Sequence, residues 1–266
     1  MTKSAGRDSQ AGSEVGVELG ELVDYLDGYL STSEIPDFRG ARNGLQIEGP
    51  ETVHRVGAAV DACLATIESA VERGIDLLLV HHGLYWGDPL PMTGRTYRKV
   101  RALVDARLAV YASHLPLDVH PEVGNNALLA RGLGMEVRSR FASYEGTELA
   151  LAGQWDGSRD ELVDRLEEIL GTRPRLFPLG PGRVERLGVL TGSGGSTVKE
   201  AAALGLDTFI TGEADHPSFF DAEENGLNLV LAGHYATETL GVRALSEHLA
   251  ERFGIEAVFL DHPTGL

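Results

Sequence analysis

Two adjacent histidines, His81 and His82, are the residues of this chain whose type and position point most directly to chemistry. They follow a wholly apolar run at residues 77–80, which is typical of a buried strand in a parallel sheet. Because side chains alternate across a strand, both rings can serve one site only where the strand ends. Gly83 follows, and a glycine gives the backbone the freedom to break the alternation. Ligands of open α/β sheets bind outside the carboxyl ends of the strands, so we expect a functional site here.

Three further segments place metal-binding residue types at predicted strand ends. Their candidate residues are His114, Asp118 and His120 in one segment, Glu213, Asp215 and His216 in the next, and His234 and Glu238 in the last. Pro116 disfavours the α region for the residue before it, so the segment after His114 is expected to be extended or turned. If a helix begins near residue 235, His234 and Glu238 lie one turn apart and face the same way.

Each segment alone also has a structural interpretation. Adjacent histidines can cap backbone carbonyls, and His114 and Asp118 can share a hydrogen bond across a turn. Glu238 in the first turn of a helix would complement the helix dipole. Convergence favours function, because three imidazoles and two carboxylates at the strand ends of one sheet system match a metal site with nitrogen and oxygen ligands. Two carboxylates are enough to bridge a pair of ions, which lie about 3.5–4 Å apart in two-metal sites.

The elements that must position these segments alternate between strands and helices. Predicted helices separate eight predicted strands, at residues 56–60, 77–80, 108–112, 147–153, 184–190, 206–211, 227–232 and 255–260. Residues 31–49 read as irregular because they contain proline, glycine and an Asn-Gly pair. The alternation predicts an α/β fold with largely parallel or mixed sheets.

An internal repeat relates two parts of the chain at an offset of 131 residues. At this offset Asp76 matches Asp207, with a glycine and apolar residues in register around each. We therefore predict a duplicated protein with two similar α/β halves, residues 17–135 and 136–266. Polar residues at corresponding strand ends of the two halves should face a common place.

Composition limits the partners of the protein. Its 266 residues carry a formal net charge of −17, which argues against nucleic acid or an anionic membrane as a partner. The single cysteine, Cys63, excludes an internal disulfide and a thiolate zinc site. Residues 1–16 are polar and are expected to be a flexible tail without a signal peptide. No apolar stretch approaches the roughly 18 residues of a membrane span, so we expect a soluble, cytoplasmic protein.

A glycine-rich segment at residues 191–196 follows a predicted strand and opens a predicted helix, where a phosphate loop would lie. It lacks both the Gly-Lys-Ser/Thr ending and a clean GxGxxG pattern. We interpret it as a tight strand-to-helix turn that could still bind an anion.

The strand-end motifs together resemble a known group, the Nif-three-like dinuclear metal centre hexameric proteins, which are also called GTP cyclohydrolase I type 2 homologues. The resemblance extends from about residue 19 to the end of the chain. It is carried by Asn43-Gly44-Leu45-Gln46, Leu79-Val80-His81-His82-Gly83, His114-Leu115-Pro116-Leu117-Asp118 continuing to Gly124-Asn125-Asn126, Gly212-Glu213, and Gly233-His234-Tyr235-Ala236-Thr237-Glu238. The resemblance implies two intertwined α/β domains, a toroidal homohexamer and two divalent metal ions per subunit.

Matching positions within this family gives the expected site residues. The implied metal ligands are His81, His82, Asp118, His234 and Glu238. The groups that would orient ligands or handle protons are His114, His120, Glu213 and His216. Imidazole and carboxylate ligands suit zinc, iron, manganese or nickel, so the identity of the metal stays open.

The leading hypothesis is a two-metal hydrolase of a small polar substrate such as a nucleotide. In this hypothesis His114, Glu213 or His216 serves as general acid or base. The family name points to GTP ring opening, and phosphate-ester hydrolysis fits the same metals equally well. The alternative is a ring-shaped metal-binding scaffold that stores or delivers metal or binds partner proteins. The spare acid–base groups beside the site favour the enzyme.

Overall fold

The computed structural model describes residues 15–87 and 91–266. Residues 1–14, which are most of the predicted tail, lie outside the described part of the chain, as do residues 88–90. Among the helices of the described part, none combines the length and the apolar character that crossing a membrane would require.

Helices and strands alternate from β4 to α4 in the first half of the chain, as the sequence predicts. The elements are β1 (Val17–Glu18), α1 (Leu19–Tyr29), β2 (Gly44–Ile47), β3 (Thr52–Val53), β4 (Arg55–Asp61), α2 (Leu64–Glu72), β5 (Leu77–His82), α3 (Gly94–Ala106), β6 (Ala109–Ala112), α4 (Leu115–Asp118) and α5 (Asn125–Leu133).

The second half opens with two long strands and then returns to the alternation. The elements are β7 (Glu136–Tyr144), β8 (Thr147–Ser158), α6 (Arg159–Leu170), β9 (Arg175–Phe177), β10 (Arg183–Leu190), a 3-10 turn (Gly195–Thr197), α7 (Val198–Ala203), β11 (Thr208–Thr211), α8 (His216–Glu224), β12 (Asn228–Leu231), α9 (His234–Phe253) and β13 (Glu256–Phe259).

Two mixed sheets form the framework, in the strand orders β13-β4-β5-β6-β2 and β7-β8-β10-β11-β12-β9. In the five-stranded sheet, β13, β4, β5 and β6 run parallel and β2 is an antiparallel edge. In the six-stranded sheet, parallel β10, β11 and β12 are flanked by antiparallel β8 and β9. The predicted α/β class is confirmed, with parallel pairing at the centre of each sheet and antiparallel strands at one edge of the five-stranded sheet and on both sides of the six-stranded sheet.

The chain returns to its first sheet at the end, so the two halves are intertwined. Helix α9 begins at the end of β12 in the six-stranded sheet and packs on β4 of the five-stranded sheet. Its buried residues Val242, Leu245 and Leu249 belong to the same core cluster as Leu22 and Leu26 of α1. After α9, strand β13 pairs with β4. The boundary between residues 135 and 136 stays a prediction.

Strand β5, which carries the two histidines, is buried on both faces. Leu77 and Leu79 pack into the core that α1 and α9 cover, whereas Leu78 and Val80 pack with residues of α2 and α3 on the other face. Burial of each such side chain contributes about 1.5–3 kcal/mol, so the strand end is anchored by a continuous core.

Two elements depart from the sequence expectations in the first half. Gly44–Ile47 form strand β2 within the segment that reads as irregular, because the Asn-Gly pair marks the start of an edge strand. Leu115–Asp118 form the single helical turn α4 where an extended or turned segment was expected. Pro116 lies in the first turn, where its missing N–H needs no intrahelical partner.

Strand β7 was not predicted at all. Its first four residues are exposed and three of its nine residues are charged, so it shows little of the apolar pattern that identifies strands. It forms because the hairpin with β8 supplies its backbone partners. Edge strands of this kind carry a weak sequence signal.

The two sheets repeat the same hydrogen bonds at the 131-residue offset. The carboxylate of Asp76 accepts the backbone N–H groups of His54 and Arg55 at 2.8 and 3.0 Å. Asp207 accepts the N–H groups 131 positions further on, those of Glu185 and Arg186, at 2.9 and 2.8 Å. Each carboxylate thus joins the start of one parallel strand to the start of its neighbour.

Replacing Asp207 with Ala is expected to lower the free energy of unfolding by about 1–3 kcal/mol, because two backbone donors lose their acceptor. Asp207→Asn keeps an acceptor oxygen and should cost less. Asp24→Ala, at an exposed position of α1, is the control and should change little. Urea unfolding measures all three, and an Asp207→Ala variant as stable as wild type would contradict the role assigned to this carboxylate.

Candidate metal centre

The strand ends of both sheets meet at one cavity of about 530 Å³. The ends of β5, β10 and β12 and the segment after β6 all contribute side chains to it. Its lining residues are Phe38, Asp61, His82, Trp86, His114, Leu115, Asp118, Leu149, Leu190, Thr191, Ser193, His234 and Glu238. Residues from the two halves therefore share one site.

β5 ends at His82, which lines the cavity, and the fully buried His81 before it faces the same Glu238 carboxylate. Their ring centroids lie 4.8 Å apart and the rings are tilted by 46°. Gly83 has a different role from the one expected, because its φ does not lie in the left-handed region. A Cβ on Gly83 would lie 2.2 Å from the Gln46 side chain and 2.7 Å from Cβ of Ala112. The glycine is therefore required for close packing and not for an unusual backbone angle.

Each of the four imidazoles at the site is fixed by a hydrogen bond from its own Nδ1. The Nδ1–H groups donate to one carbonyl and three carboxylates, in the pairs His81–Ser113 O (2.9 Å), His82–Asp61 (2.9 Å), His114–Asp37 (2.8 Å) and His234–Glu213 (3.0 Å). Such bonds fix the ring orientation and leave Nε2 as the nitrogen that faces the site. Every one of these rings is therefore prepared to present Nε2 to a cation.

Glu238 is the centre of the arrangement. It follows His234 by one turn of α9, and only 3% of the residue is exposed. Its Oε1 lies 3.5 Å from Nε2 of His81. Its Oε2 lies 3.4 Å from Nε2 of His82 and 3.1 Å from Nε2 of His234. The two oxygens of one carboxylate thus face different imidazoles.

Asp118 completes the side of the site that His81 occupies. Its Oδ1 accepts a hydrogen bond of 2.8 Å from the Asn125 side chain, and its Oδ2 lies 3.6 Å from Nε2 of His81. The carbonyl oxygen of the same Asn125 amide accepts the backbone N–H of Gly241 in α9. Asn125 therefore fixes the position of Asp118 relative to the helix that carries Glu238.

The charges of the site are strongly coupled. Burial lowers the pKa of His81, but the carboxylates of Asp118 and Glu238 outweigh burial and raise the pKa to about 10. For His234, the lowering by burial is outweighed by Glu238 and Glu213, which raise the pKa to about 9. Burial raises the pKa of Glu238, yet the surrounding imidazoles hold it well below its usual range. The carboxylates thus create a place that favours positive charge.

The donor set fits a metal ion. Nε2 of His81 and Oε2 of Glu238 are buried, and neither makes a well-oriented hydrogen bond within the described residues. Ligands at about 2.0–2.2 Å from a tetrahedral ion lie about 3.4 Å from one another, which matches the separations of 3.1–3.6 Å between these donors. Two groups in the described chain could hold an ion, His82 with His234 and Glu238, and His81 with His82 and His114.

Of the four residues predicted to orient ligands or handle protons, two lie at or next to the cavity and two do not. His114 lines the cavity, whereas Glu213 contacts it through His234. His216 is exposed at the first position of α8 and packs its ring on Phe220, with centroids 5.2 Å apart. His120 lies elsewhere, where its Nε2–H donates to the Tyr29 carbonyl and its Nδ1 accepts two backbone N–H groups.

Three residues of the site were not predicted from the sequence. Asp61 is the last residue of β4 and is the register partner of His82, so its strand-end position was a usable signal. Asp37 lies in an irregular segment and offered no such signal. Trp86 packs its ring edgewise on His82 and His114, with centroids 5.5 and 4.9 Å away, and closes one side of the cavity.

The carboxylate of Asp37 accepts four hydrogen bonds, one of them from His114. Its carboxylate accepts from Phe38 N–H, the Asn43 side chain, His114 Nδ1–H and Leu115 N–H, at 2.7–3.0 Å. Burial raises the pKa of Asp37, but the bond from His114 and the other donors outweigh it and leave the pKa below its ordinary value of 3.8. An ionised carboxylate, which only accepts, is the group that four donors require.

Replacing Asp37 with Asn should lower the free energy of unfolding by about 1–3 kcal/mol at pH 7, because an amide N–H₂ would face a donor. Since the folded pKa is depressed, the contribution of Asp37 is present above about pH 4 and is lost as the pH falls through the folded value. Urea unfolding at pH 7 and at pH 3–4 should show the difference shrinking only in acid. Glu34→Gln, exposed in the same loop, is the control, and equal stabilities of Asp37→Asn and wild type at pH 7 would contradict this account.

Comparison with known proteins identifies the family. The model of the Duf34/NIF3 (NGG1p interacting factor 3) family matches residues 17–265. A GTP cyclohydrolase 1 type 2 homolog from Deinococcus radiodurans is 44% identical over 261 residues, covering 97% of this chain and 98% of that protein.

Solved structures agree with this assignment. The crystal structure of a protein from Thermus thermophilus matches with a TM-score of 0.85 at 43% identity, covering 94% of this chain and 100% of the other. The protein ybgI, described as of unknown function, matches with a TM-score of 0.88 at 37% identity and the same coverage. Because the family model, the relatives and the solved structures each match nearly all of it, the chain belongs to the Duf34/NIF3 family.

Proposed function

We propose that the protein is a metal-dependent hydrolase that binds two divalent ions and acts on a small polar substrate, with a nucleotide as the leading class. The observation that carries the proposal is the position of Glu238, whose two carboxylate oxygens face different imidazoles at 3.1–3.5 Å. A carboxylate placed in this way can bridge two ions.

Each proposed ion has its own set of side chains. One set consists of His81, Asp118 and Oε1 of Glu238, and the other of His82, His234 and Oε2 of Glu238. Both sets keep room for substrate, because His82, His234, Asp118 and Glu238 also line the cavity. Three protein ligands with a further position open to substrate are typical of catalytic rather than structural metal sites.

The protein side chains divide the remaining work. When bound, divalent ions polarise a substrate oxygen and lower the pKa of water. His114 is the proposed general acid–base group, because it lines the cavity and Asp37 holds its Nδ1–H, so that Nε2 is the atom that can exchange a proton. Glu213 and Asp61 act through the imidazoles they orient. His216 lies on the surface and is not part of this proposal.

The names of the relatives support a nucleotide as substrate only weakly. The Deinococcus radiodurans relative is called a homolog of GTP cyclohydrolase 1 type 2, which describes a likeness. GTP ring opening and phosphate-ester hydrolysis are therefore both tested below. The homohexameric ring and the cytoplasmic location stay predictions from the family resemblance and the sequence, and the identity of the metal stays open.

Replacing Glu238 with Gln should remove both metal ions, because one charged bridging ligand is lost from both sets. Asp118→Asn should release metal from one set only. His216→Ala, at an exposed histidine away from the cavity, should keep the wild-type content. Elemental analysis of purified protein, with circular dichroism as a check of folding, gives the answer. A folded Glu238→Gln variant with full metal content would contradict the proposed centre.

Turnover separates the hydrolase from a metal-storing scaffold. Protein stripped with a chelator and reloaded with zinc, manganese, iron(II) or nickel is assayed with GTP and with bis(p-nitrophenyl) phosphate. We expect turnover that depends on metal and that falls by about 10²–10⁴-fold in kcat in His114→Ala. If the loaded protein turns over neither substrate nor a wider panel of nucleotides and phosphate esters, the hydrolase proposal is wrong and the scaffold remains.

A further inference from the structure

Thr191 is fixed beside the metal centre by its backbone. It follows β10 and lines the cavity from the second half of the chain. Its N–H donates to the Asn126 side chain at 2.8 Å, and the same Asn126 also bonds the carbonyl oxygen of Asp118. The next residue, Gly192, packs so closely that a Cβ on it would lie 2.3 Å from Oε1 of Glu238. Asn126 therefore joins the backbone of Thr191 to the backbone of Asp118, and the residue after Thr191 lies against Glu238.

The Thr191 hydroxyl has no structural partner in the described residues. Thr191 is 5% exposed, and its Oγ1 is buried without a hydrogen bond. Buried hydroxyls are nearly always bonded, because an unmade hydrogen bond leaves the cost of desolvation uncompensated. Four other buried side-chain atoms of the described residues lack a partner: His81 Nε2 and Glu238 Oε2 belong to the proposed metal centre, whereas Ser113 Oγ and Asp207 Oδ1 do not line the cavity. An unpartnered polar atom at a cavity wall points to a ligand.

The internal repeat shows that the fold does not need this hydroxyl. Strands β4 and β5 pair in the same register as β10 and β11 at the 131-residue offset, which places Val60 at the position of Thr191. Val60 is 1% exposed. Valine has the shape of threonine with a methyl group in place of the hydroxyl. The same strand end thus packs well without a polar atom, so packing alone does not account for the hydroxyl in the second half.

We propose that the Thr191 hydroxyl donates a hydrogen bond to a substrate oxygen, either a phosphoryl oxygen or a ring carbonyl, and so positions the substrate at the metal centre. The inference rests on the proposed function in that it assumes a substrate at this cavity. The remaining walls agree with a small organic ligand, since Phe38 and Trp86 offer exposed aromatic surface and Leu115, Leu149 and Leu190 line the rest. Mostly apolar walls with a few placed polar groups are typical of small-molecule sites.

The test compares Thr191→Val, Thr191→Ser and wild type, all metal-loaded, by calorimetric titration with two probes. Inorganic phosphate offers phosphoryl oxygens without a ring, and guanosine offers a ring carbonyl without phosphate. The probe that supplies the bonded oxygen should bind Thr191→Val about ten-fold more weakly than wild type, whereas Thr191→Ser keeps the affinity. Without a probe, Thr191→Val should unfold at a temperature equal to or above that of wild type, because it removes an unpartnered polar group.

Val60→Thr is the matched control, since it places the hydroxyl at the equivalent position of the first half. It should unfold at a lower temperature and leave probe binding unchanged. The inference is wrong if neither probe binds wild type, if both bind Thr191→Val as tightly as wild type, or if Thr191→Val unfolds well below wild type.

Failure of this inference is distinguishable from failure of the hydrolase. Absent turnover on every substrate rejects the hydrolase and leaves the binding result standing. Turnover with the same kcat and KM in Thr191→Val and wild type, together with unchanged probe binding, rejects only the role of Thr191.

Discussion

The structure depends on one buried carboxylate, that of Glu238. A charged group that is 3% exposed is costly unless opposite charge surrounds it, and an uncompensated buried ion costs several kcal/mol. Imidazoles from β5 and from the start of α9 provide the compensation, with His81 at Oε1 and with His82 and His234 at Oε2. Position 192 requires glycine, because its φ of +68° lies in the left-handed region and a Cβ there would lie 2.3 Å from Oε1 of Glu238. Divalent cations are the natural partner of such a donor set.

The duplicated architecture explains how the site is built from two unlike halves. The equivalent strand ends meet at one cavity, but β5 ends in two histidines whereas β11 is followed by Gly212 and Glu213. The strand end of the first half supplies the imidazoles of His81 and His82. The equivalent strand end of the second half supplies the carboxylate of Glu213, which accepts the Nδ1–H of His234 and so orients that ring. The return of α9 and β13 to the first sheet holds the two edges together.

Much of the site could be predicted from the sequence because its residues are close to strand ends and helix starts. His81 and His82 end an apolar strand, and the spacing of His234 and Glu238 is one helical turn. These local patterns predicted strand-end positions, and the family resemblance was needed to join the residues into one ligand set. Asp37 could not be predicted, because it reaches His114 from a segment 77 residues away without regular structure. His216 resembled Glu213 in the sequence, yet α8 begins at His216 and directs it to the surface. Strands β2 and β7 were not predicted. Each lies at the edge of a sheet, pairs with only one neighbouring strand and has exposed residues, so its sequence shows little of the apolar pattern of a strand.

The central claim is that Glu238 bridges two ions. The most direct measurement is a crystal structure of the metal-loaded protein with anomalous diffraction collected at the absorption edge of the bound metal. The account predicts two anomalous peaks about 3.5–4 Å apart, one beside His81 and Asp118 and the other beside His82 and His234, with an oxygen of Glu238 bound to each. A single peak, or two peaks that Glu238 does not join, would contradict it.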